Sequence, residues 1–231
     1  MAADEKWQHA LDTIKDGRNI SLGELYSYDV DHDIKHLGFT LSRYKFVSKL
    51  LQGNATGSVL ELGSSYGLGA PYVVQTADNV RYVGIDFDTR AVNFAKETYG
   101  SERVTFIEGD FLLKDLKQLS AGGNGFDSIF SLDVIEHIRT ELEDDFVRTI
   151  TTNLNDTGFA VIGTPNINMD PYASETSKAG HINLYDQKRL FELCARHFNT
   201  VFMFGMNDEV VHTGFAPMSC YLFAVCSYKK R

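Results

Sequence analysis

Three kinds of residue in this chain have the types and spacing to do chemistry: glycines and serines packed into one turn, aspartates that close successive apolar runs, and histidines that follow. The turn is Gly63-Ser64-Ser65-Tyr66-Gly67-Leu68-Gly69, directly behind the apolar run Val59-Leu60-Glu61-Leu62. An apolar run that ends in glycines reads as a buried parallel strand stopping at a tight turn that feeds a helix. Glycines let a backbone approach a ligand closely, and the first amides of the next helix lack partners within it. The turn is therefore a candidate binding loop. A dinucleotide fingerprint requires G-x-G-x-x-G, and Ser65 stands where its second glycine belongs, which disfavours NAD.

The aspartates fall at the ends of the strands that must position this loop. Tyr82-Val83-Gly84-Ile85 ends at Asp86, where a carboxylate accepts hydrogen bonds from ribose hydroxyls. Val104-Thr105-Phe106-Ile107 leads to Gly109-Asp110-Phe111, and Phe126 to Leu132 leads to Asp133. Ligands of open α/β sheets bind outside the carboxyl ends of strands, where Asp133 sits; Asp127, early in its strand, reads as structural. Just beyond, His137 suits either a base or a group that orients its loop.

Between the strands lie helices with short connections, the pattern of an α/β sheet. Asp88 or Thr89 caps one that closes at Gly100, and Thr140-x-x-Glu143 forms a capping box before the stripe Leu142, Phe146, Ile150, Leu154. A fifth strand, Phe159 to Gly163, is followed by an irregular stretch, 167–180, too long for a default connection. It delivers His181 just before Asp186, the cap of a helix reaching about Phe198. Strands at 201–204 and 221–225 are joined by a connection, 205–220, that carries Asp208, Glu209 and His212.

Ahead of the loop, residues 1–20 read as a polar helix with Trp7, Leu11 and Ile14 as its sparse apolar positions. The stretch Tyr26 to His36 is dense in carboxylates and imidazoles; the alternation of Asp29, Asp31 and Asp33 fits an exposed edge, and no metal site is assigned. Leu41, Tyr44, Val47 and Leu51 recur at helical spacing, so Thr40–Gln52 is an amphipathic helix with Arg43 on its more polar side.

The 231 residues, 43% hydrophobic and 23% charged, suit one soluble globular domain. A net charge of −9 argues against a nucleic-acid partner, because phosphate binding wants a basic face. No apolar run is long enough to span a bilayer, so no membrane partner is expected, and Met1 to Asp16 is too polar for a signal peptide. Cys194, Cys220 and Cys226 are late, unclustered and odd in number, which suggests neither a disulfide framework nor a zinc site and points to the cytoplasm.

Residues 61–67 resemble motif I of the class I (Rossmann-like) S-adenosylmethionine (SAM) methyltransferases, E/D-x-G-x-G-x-G, with Glu61, Gly63 and Gly67 in place and Ser65 replacing the middle glycine. Residues 126–137 resemble the same family's F-D-x-x-x-x-x-D/E-V-x-E-H segment. The resemblance covers roughly residues 55–165 and implies an α/β fold with a seven-stranded, mostly parallel sheet of order 3-2-1-4-5-7-6, its last strand antiparallel, and helices on both faces. One domain would occupy 1–231, with a helical cap segment at 1–54 and the Rossmann-like core at 55–231. The resemblance further implies SAM as cofactor, held by Glu61, Gly63, Ser64, Ser65, Gly67, Asp86, Phe87, Asp110, Phe111 and Asp133. In it Asp110 bonds the adenine amino group, Phe111 packs on the ring, and Arg43 pairs with the SAM carboxylate.

The implied reaction is methyl transfer to an oxygen, less readily a nitrogen, of a small polar acceptor; an alcohol or phenol would want a base, for which His181 and His212 are the candidates, and a carboxylate or phosphate-like oxygen would need none. A weaker likeness to methyltransferases of bacterial surface-polysaccharide pathways suggests a sugar or phosphoramidate precursor. Three alternatives stand beside it: an NAD(P)-dependent dehydrogenase, a non-catalytic SAM-binding subunit, and a divalent-metal-dependent catechol-type enzyme using acidic and amide groups near Asp133 and Asn166.

Overall fold

Backbone amides and carbonyls in buried apolar runs must find partners inside the protein, and every run expected as a strand is paired into one sheet. The computed structural model describes residues 2–14, 20–52, 57–76 and 79–230; residues 15–19 of the expected N-terminal helix and the expected segment boundary at 54/55 lie outside them. The strands are β1 (Ser58–Leu62), β2 (Arg81–Asp86), β3 (Val104–Glu108), β4 (Phe126–Leu132), β5 (Leu154–Pro165), β6 (Phe198–Asn207), β7 (Val210–His212) and β8 (Tyr221–Lys229). Their order is β3-β2-β1-β4-β5-β8-β6-β7. The first five are parallel, and β8 runs antiparallel to both β5 and β6. This is the expected order with an eighth strand added. It arises because β6 continues to Asn207, Asp208 turns the chain at φ 49°, and Val210 to His212 pair back on β6 where a loop had been expected.

The helices are α1 (Ala2–Ile14), α2 (Gly23–His32), α3 (Ile34–Leu51), α4 (Gly69–Val74), α5 (Thr89–Tyr99), α6 (Glu143–Asn153), α7 (Glu175–Gly180) and α8 (Gln187–His197); α3 to α5 pack on one face of the sheet, α6 and α8 on the other, and residues 4–14 of α1 are exposed. Asp88 and Asp186 cap α5 and α8 through their side chains, as expected. The stretch 29–36 is helical rather than an exposed edge. Asp29 is buried against His36 Nδ1 (3.1 Å), and Asp33 accepts the His36 amide (3.3 Å) to start α3 six residues before Thr40. The capping box at Thr140 is not formed, since a 3₁₀ turn occupies Thr140–Leu142 and the threonine hydroxyl donates instead to Asn183 (3.3 Å). The stretch 167–180 is mostly helical, with a 3₁₀ segment, Ile167–Tyr172, before α7. Among the described residues, no helix is long and apolar enough to cross a membrane.

Strand alternation sorts side chains onto two cores. Leu60 and Leu62 of β1 pack with Phe126, Ile129 and Phe146, whereas Val59 faces the core built by Tyr44, Val47 and Leu51 of α3 with Tyr82 and Phe106. Glu61 shares the face of Val59 and is fully buried there. Its carboxyl accepts the Tyr44 hydroxyl (2.9 Å) and that of Tyr82, which joins α3, β1 and β2 at one group. Asp127 links β1 to β5 in the same way, accepting the Ser58 amide and the Asn155 side-chain amide, both at 2.7 Å.

Burial pushes the Glu61 carboxyl up to about 8, against the two tyrosine bonds that favour its charged form. A carboxyl raised on folding adds stability that is complete below its unfolded value near 4.5 and is lost as pH rises through about 8. Urea unfolding of the protein and of Glu61→Gln at pH 5, 7 and 8.5 tests this. The variant is expected to gain on the parent by several kcal/mol across the series, and a constant difference would contradict a protonated Glu61.

Candidate active site

The loop after β1 has the shape its glycines allow. Gly63 (φ 79°) faces Val134, whose Cγ2 would lie 2.3 Å from any Cβ, and Gly67 (φ 80°) faces Phe106 and Ala95 at 2.7 and 2.8 Å. Ser65 takes the left-handed region itself, at φ 44°, and so reproduces the backbone of the glycine it replaces. Its amide donates to Asp86 Oδ2 (2.7 Å), while the Asp88 amide donates to Asp86 Oδ1 (2.9 Å). The Asp86 carboxylate thus sits under the loop, 8% exposed, and each oxygen keeps acceptor capacity. Next to it Phe87 projects from the sheet edge, 79% exposed.

Other residues expected at the cofactor are placed as follows. Ser64 is buried and its Oγ has no partner. Glu61 lies beneath the loop, occupied by its tyrosines. Asp110 is exposed and accepts the Leu112 amide (2.9 Å). Phe111 turns into the core, edge-on to Phe146 at 6.1 Å, so the apolar ring presented to solvent beside the loop is that of Phe87.

At the end of β4, Asp133 adopts φ 56° and donates its amide to the Gly163 carbonyl (3.1 Å), which turns the chain off the sheet. Arg43 reaches it from α3. Its NH1 donates to Asp133 Oδ2 (2.7 Å), and its guanidinium lies 4.1 Å over the Tyr221 ring. The side chain is only 11% exposed, so the helix side expected to face solvent lies on the sheet end. Its Nε is buried without a partner, and the same arginine lines a small hollow with Phe39, Met206, Asp208, Cys220 and Tyr221.

Three residues beyond Asp133 a 3₁₀ turn, Ile135–His137, buries Glu136 completely. Its Oε2 accepts the Thr164 hydroxyl (3.0 Å), and its Oε1 has no partner. Burial and the charge of Asp133 push this carboxyl up to about 8. The Glu136 carbonyl accepts the amides of Ile182 (2.9 Å) and Asn183 (3.0 Å), and the His137 Nδ1 donates to the Gly180 carbonyl (2.8 Å). These bonds bring His181 beside the turn, its ring centroid 5.1 Å from that of His137. Burial, then the neighbouring His137, holds His181 below the usual imidazole range.

One ligand-type atom from each of Glu136, His137 and His181 lies within 4.8 Å of the others, and among the described residues no other group of three such side chains does so. Glu136 was not singled out from the sequence, although a carboxylate within Val134-Ile135-Glu136-His137 is the signal for it. His212 stands apart: β8 and β6 separate its strand from β5, at about 4.8 Å per strand, and its Nδ1 accepts the Gly214 amide (3.1 Å). Asn166 is committed elsewhere as well. Its Nδ2 donates to the carbonyls of Ala216 (3.0 Å) and Ser219 (2.9 Å) and its Oδ1 accepts the Asn168 amide (3.2 Å).

A family model described as a methyltransferase domain matches residues 59–158, from β1 into the first part of β5. The chain is 27% identical over 148 residues to a ribosomal RNA small subunit methyltransferase H of Campylobacter curvus, covering 62% of this chain and 43% of that protein. It is 31% identical over 74 residues to a fatty-acid O-methyltransferase of Mycolicibacterium smegmatis, covering 30% and 27%. The chain thus spans less than half the length of either curated relative. Among solved structures, its fold is similar to that of a TehB-like SAM-dependent methyltransferase from Corynebacterium glutamicum, with TM-score 0.60, 16% identity and 99% of each chain covered. It is similar also to that of the small RNA methyltransferase HEN1, with TM-score 0.65, 15% identity, and 84% of this chain and 26% of that one covered.

Two of these proteins act on RNA by name, which overturns the exclusion of nucleic acid drawn from net charge and the restriction to a small-molecule acceptor. The physical reason is that net charge sums the whole surface, whereas an acceptor meets one face of it. Residues 59–158 thus match a methyltransferase domain, and the loop, the acidic strand ends and the order of the sheet give the chain a fold similar to that of SAM-dependent methyltransferases.

Proposed function

We propose that the protein transfers the methyl group of SAM to an oxygen atom, with the acceptor seated beside Glu136, His137 and His181. The observation that carries this reading is the placement of His181 next to a buried carboxylate at the carboxyl ends of β4 and β5, one strand from the glycine loop. The likeness to a fatty-acid O-methyltransferase supports oxygen as the acceptor atom. In this reading Asp86 takes the ribose hydroxyls, Phe87 and Asp110 border the adenine, and the loop from Gly63 to Gly67 lies against the methionine part. Arg43, steadied by Asp133 and with its Nε unpartnered, is the cation available to the SAM carboxylate.

The chemistry asks for position more than for covalent help. The sulfonium makes its methyl carbon electrophilic, so an oxygen lone pair held in line forms the new C–O bond as the C–S pair returns to sulfur. A hydroxyl must also lose its proton, and a group that assists belongs beside the acceptor oxygen. His181, biased towards its neutral form by burial, meets that need. A ribose hydroxyl of RNA and a saccharide hydroxyl present the same chemistry to it.

Two outcomes follow. Asp86→Ala is expected to weaken S-adenosylhomocysteine binding by roughly 2–4 kcal/mol in calorimetry, the scale of charge-assisted bonds to a diol; unchanged affinity in the folded variant would remove Asp86 from the cofactor. Transfer of radiolabelled methyl from SAM to RNA oligonucleotides, saccharides and fatty acids identifies the acceptor. With that acceptor, His181→Ala should lower kcat roughly a hundredfold while sparing SAM affinity, and unaltered kinetics would rule out any contact of His181 with the acceptor.

A further inference from the structure

We propose that Glu136, His137 and His181 form a binding site for one divalent first-row transition ion, which holds the acceptor oxygen. The placement of the acceptor rests on the function proposed above; the binding of the ion does not. Two imidazoles and one carboxylate within 4.8 Å of one another make a three-ligand set. Such a set leaves coordination positions open for an exchangeable oxygen. An ion with bonds of about 2.1 Å spaces its neighbouring ligands about 3.0–3.5 Å apart, so closure asks for side-chain shifts of about 1 Å. The His137 and His181 side chains, exposed and half-buried, have room to make them.

The groups around these three side chains are those a metal site uses. His137 donates Nδ1–H to the Gly180 carbonyl at 2.8 Å, which fixes the tautomer and leaves Nε2 with a free lone pair. Thr164 holds Oε2 of Glu136 at 3.0 Å, so the carboxylate is oriented from behind while Oε1 remains unpartnered. A completely buried carboxylate oxygen with no donor carries a desolvation cost that a cation removes. The two chain segments that carry the ligands are joined by the paired amides of Ile182 and Asn183 on the Glu136 carbonyl, so the set is assembled before any ion arrives. Charge agrees as well: Glu136 and Asp133 both face Arg43, whose NH1 is bound to Asp133.

An ion here would act as a Lewis acid on the acceptor hydroxyl. The hydroxyl oxygen binds the open position and releases its proton to water. Its lone pair then attacks the methyl carbon, and the C–S electrons leave with sulfur as S-adenosylhomocysteine. His181 then serves as a ligand, and the cation supplies the acidity.

The test uses Co²⁺ as probe on the chelator-treated 231-residue chain, followed by calorimetry and by the visible absorption of the bound ion, without SAM or acceptor. One Co²⁺ per chain is expected, displaced by Zn²⁺, with binding lost in His137→Gln and in His181→Gln and weakened tenfold or more in Thr164→Val, a change of shape-neutral type behind the ligands. His137 is exposed, so its variant keeps the test valid where Glu136→Gln disturbs folding. No Co²⁺ bound with a Kd tighter than about 1 mM, or binding unchanged in both histidine variants, overturns the site. Methyl transfer that survives chelation refutes the ion's part in the reaction and leaves the proposed function standing. Stoichiometric Co²⁺ with no methyl transfer to any acceptor refutes the function and leaves the site.

Discussion

The bridge from Tyr44 and Tyr82 to the buried carboxyl of Glu61 is the interaction on which the rest of the site depends. It is made where α3, β1 and β2 meet, directly below the glycine loop. Gly69 is glycine for the same reason, since a Cβ there would come 2.5 Å from Glu61 Oε2 and 2.6 Å from Tyr44. With Tyr44 fixed, the preceding residue of the helix is fixed too, and Arg43 is delivered to Asp133 across the end of β4. A carboxyl placed in a core is costly, and hydrogen bonds from two hydroxyls offset part of that cost. What the arrangement gains is specificity of docking: a purely apolar contact between α3 and the sheet would allow the helix to slide, whereas two directional bonds set its register.

Just past the same end of β4 lies a second buried carboxyl, that of Glu136. Glu61 has both oxygens satisfied, but Glu136 has one oriented by Thr164 and one left over. Both lie toward the carboxyl ends of the parallel strands, Glu61 behind the glycine loop and Glu136 beside His137 and His181, and burial raises both carboxyls.

Much of this was legible in the sequence because parallel strands are short apolar runs closed by glycine or aspartate, and those closures mark the sheet's carboxyl edge. Asp86 and Asp133 were found that way, as were the caps Asp88 and Asp186. The misreadings share a cause. Asp29, Asp31 and Asp33 alternate like an edge strand, yet Asp29, Asp33 and His36 are also spaced for a helix cap, and contact with the core decided between the two periods. Arg43 could not be placed because one arginine on a helix does not reveal its partner ninety positions away. Glu136 and His181 are likewise joined by backbone bonds across the fold, and neither residue type alone announces the other.

The acceptor side is built from what the sheet leaves over. Asn166, just past β5, binds the carbonyls of Ala216 and Ser219 with its side chain and that of Cys220 with its amide. The Ile167 amide in turn donates to the Tyr185 carbonyl (2.8 Å). One buried asparagine therefore ties the segment before β8 to the segment that carries His181. Methyl transfer from a sulfonium places few demands on the cofactor side, so that side repeats across enzymes with unrelated acceptors. The two segments that Asn166 and Ile167 tie together stand clear of the glycine loop and its carboxylates, so either can vary in sequence while that loop keeps its shape.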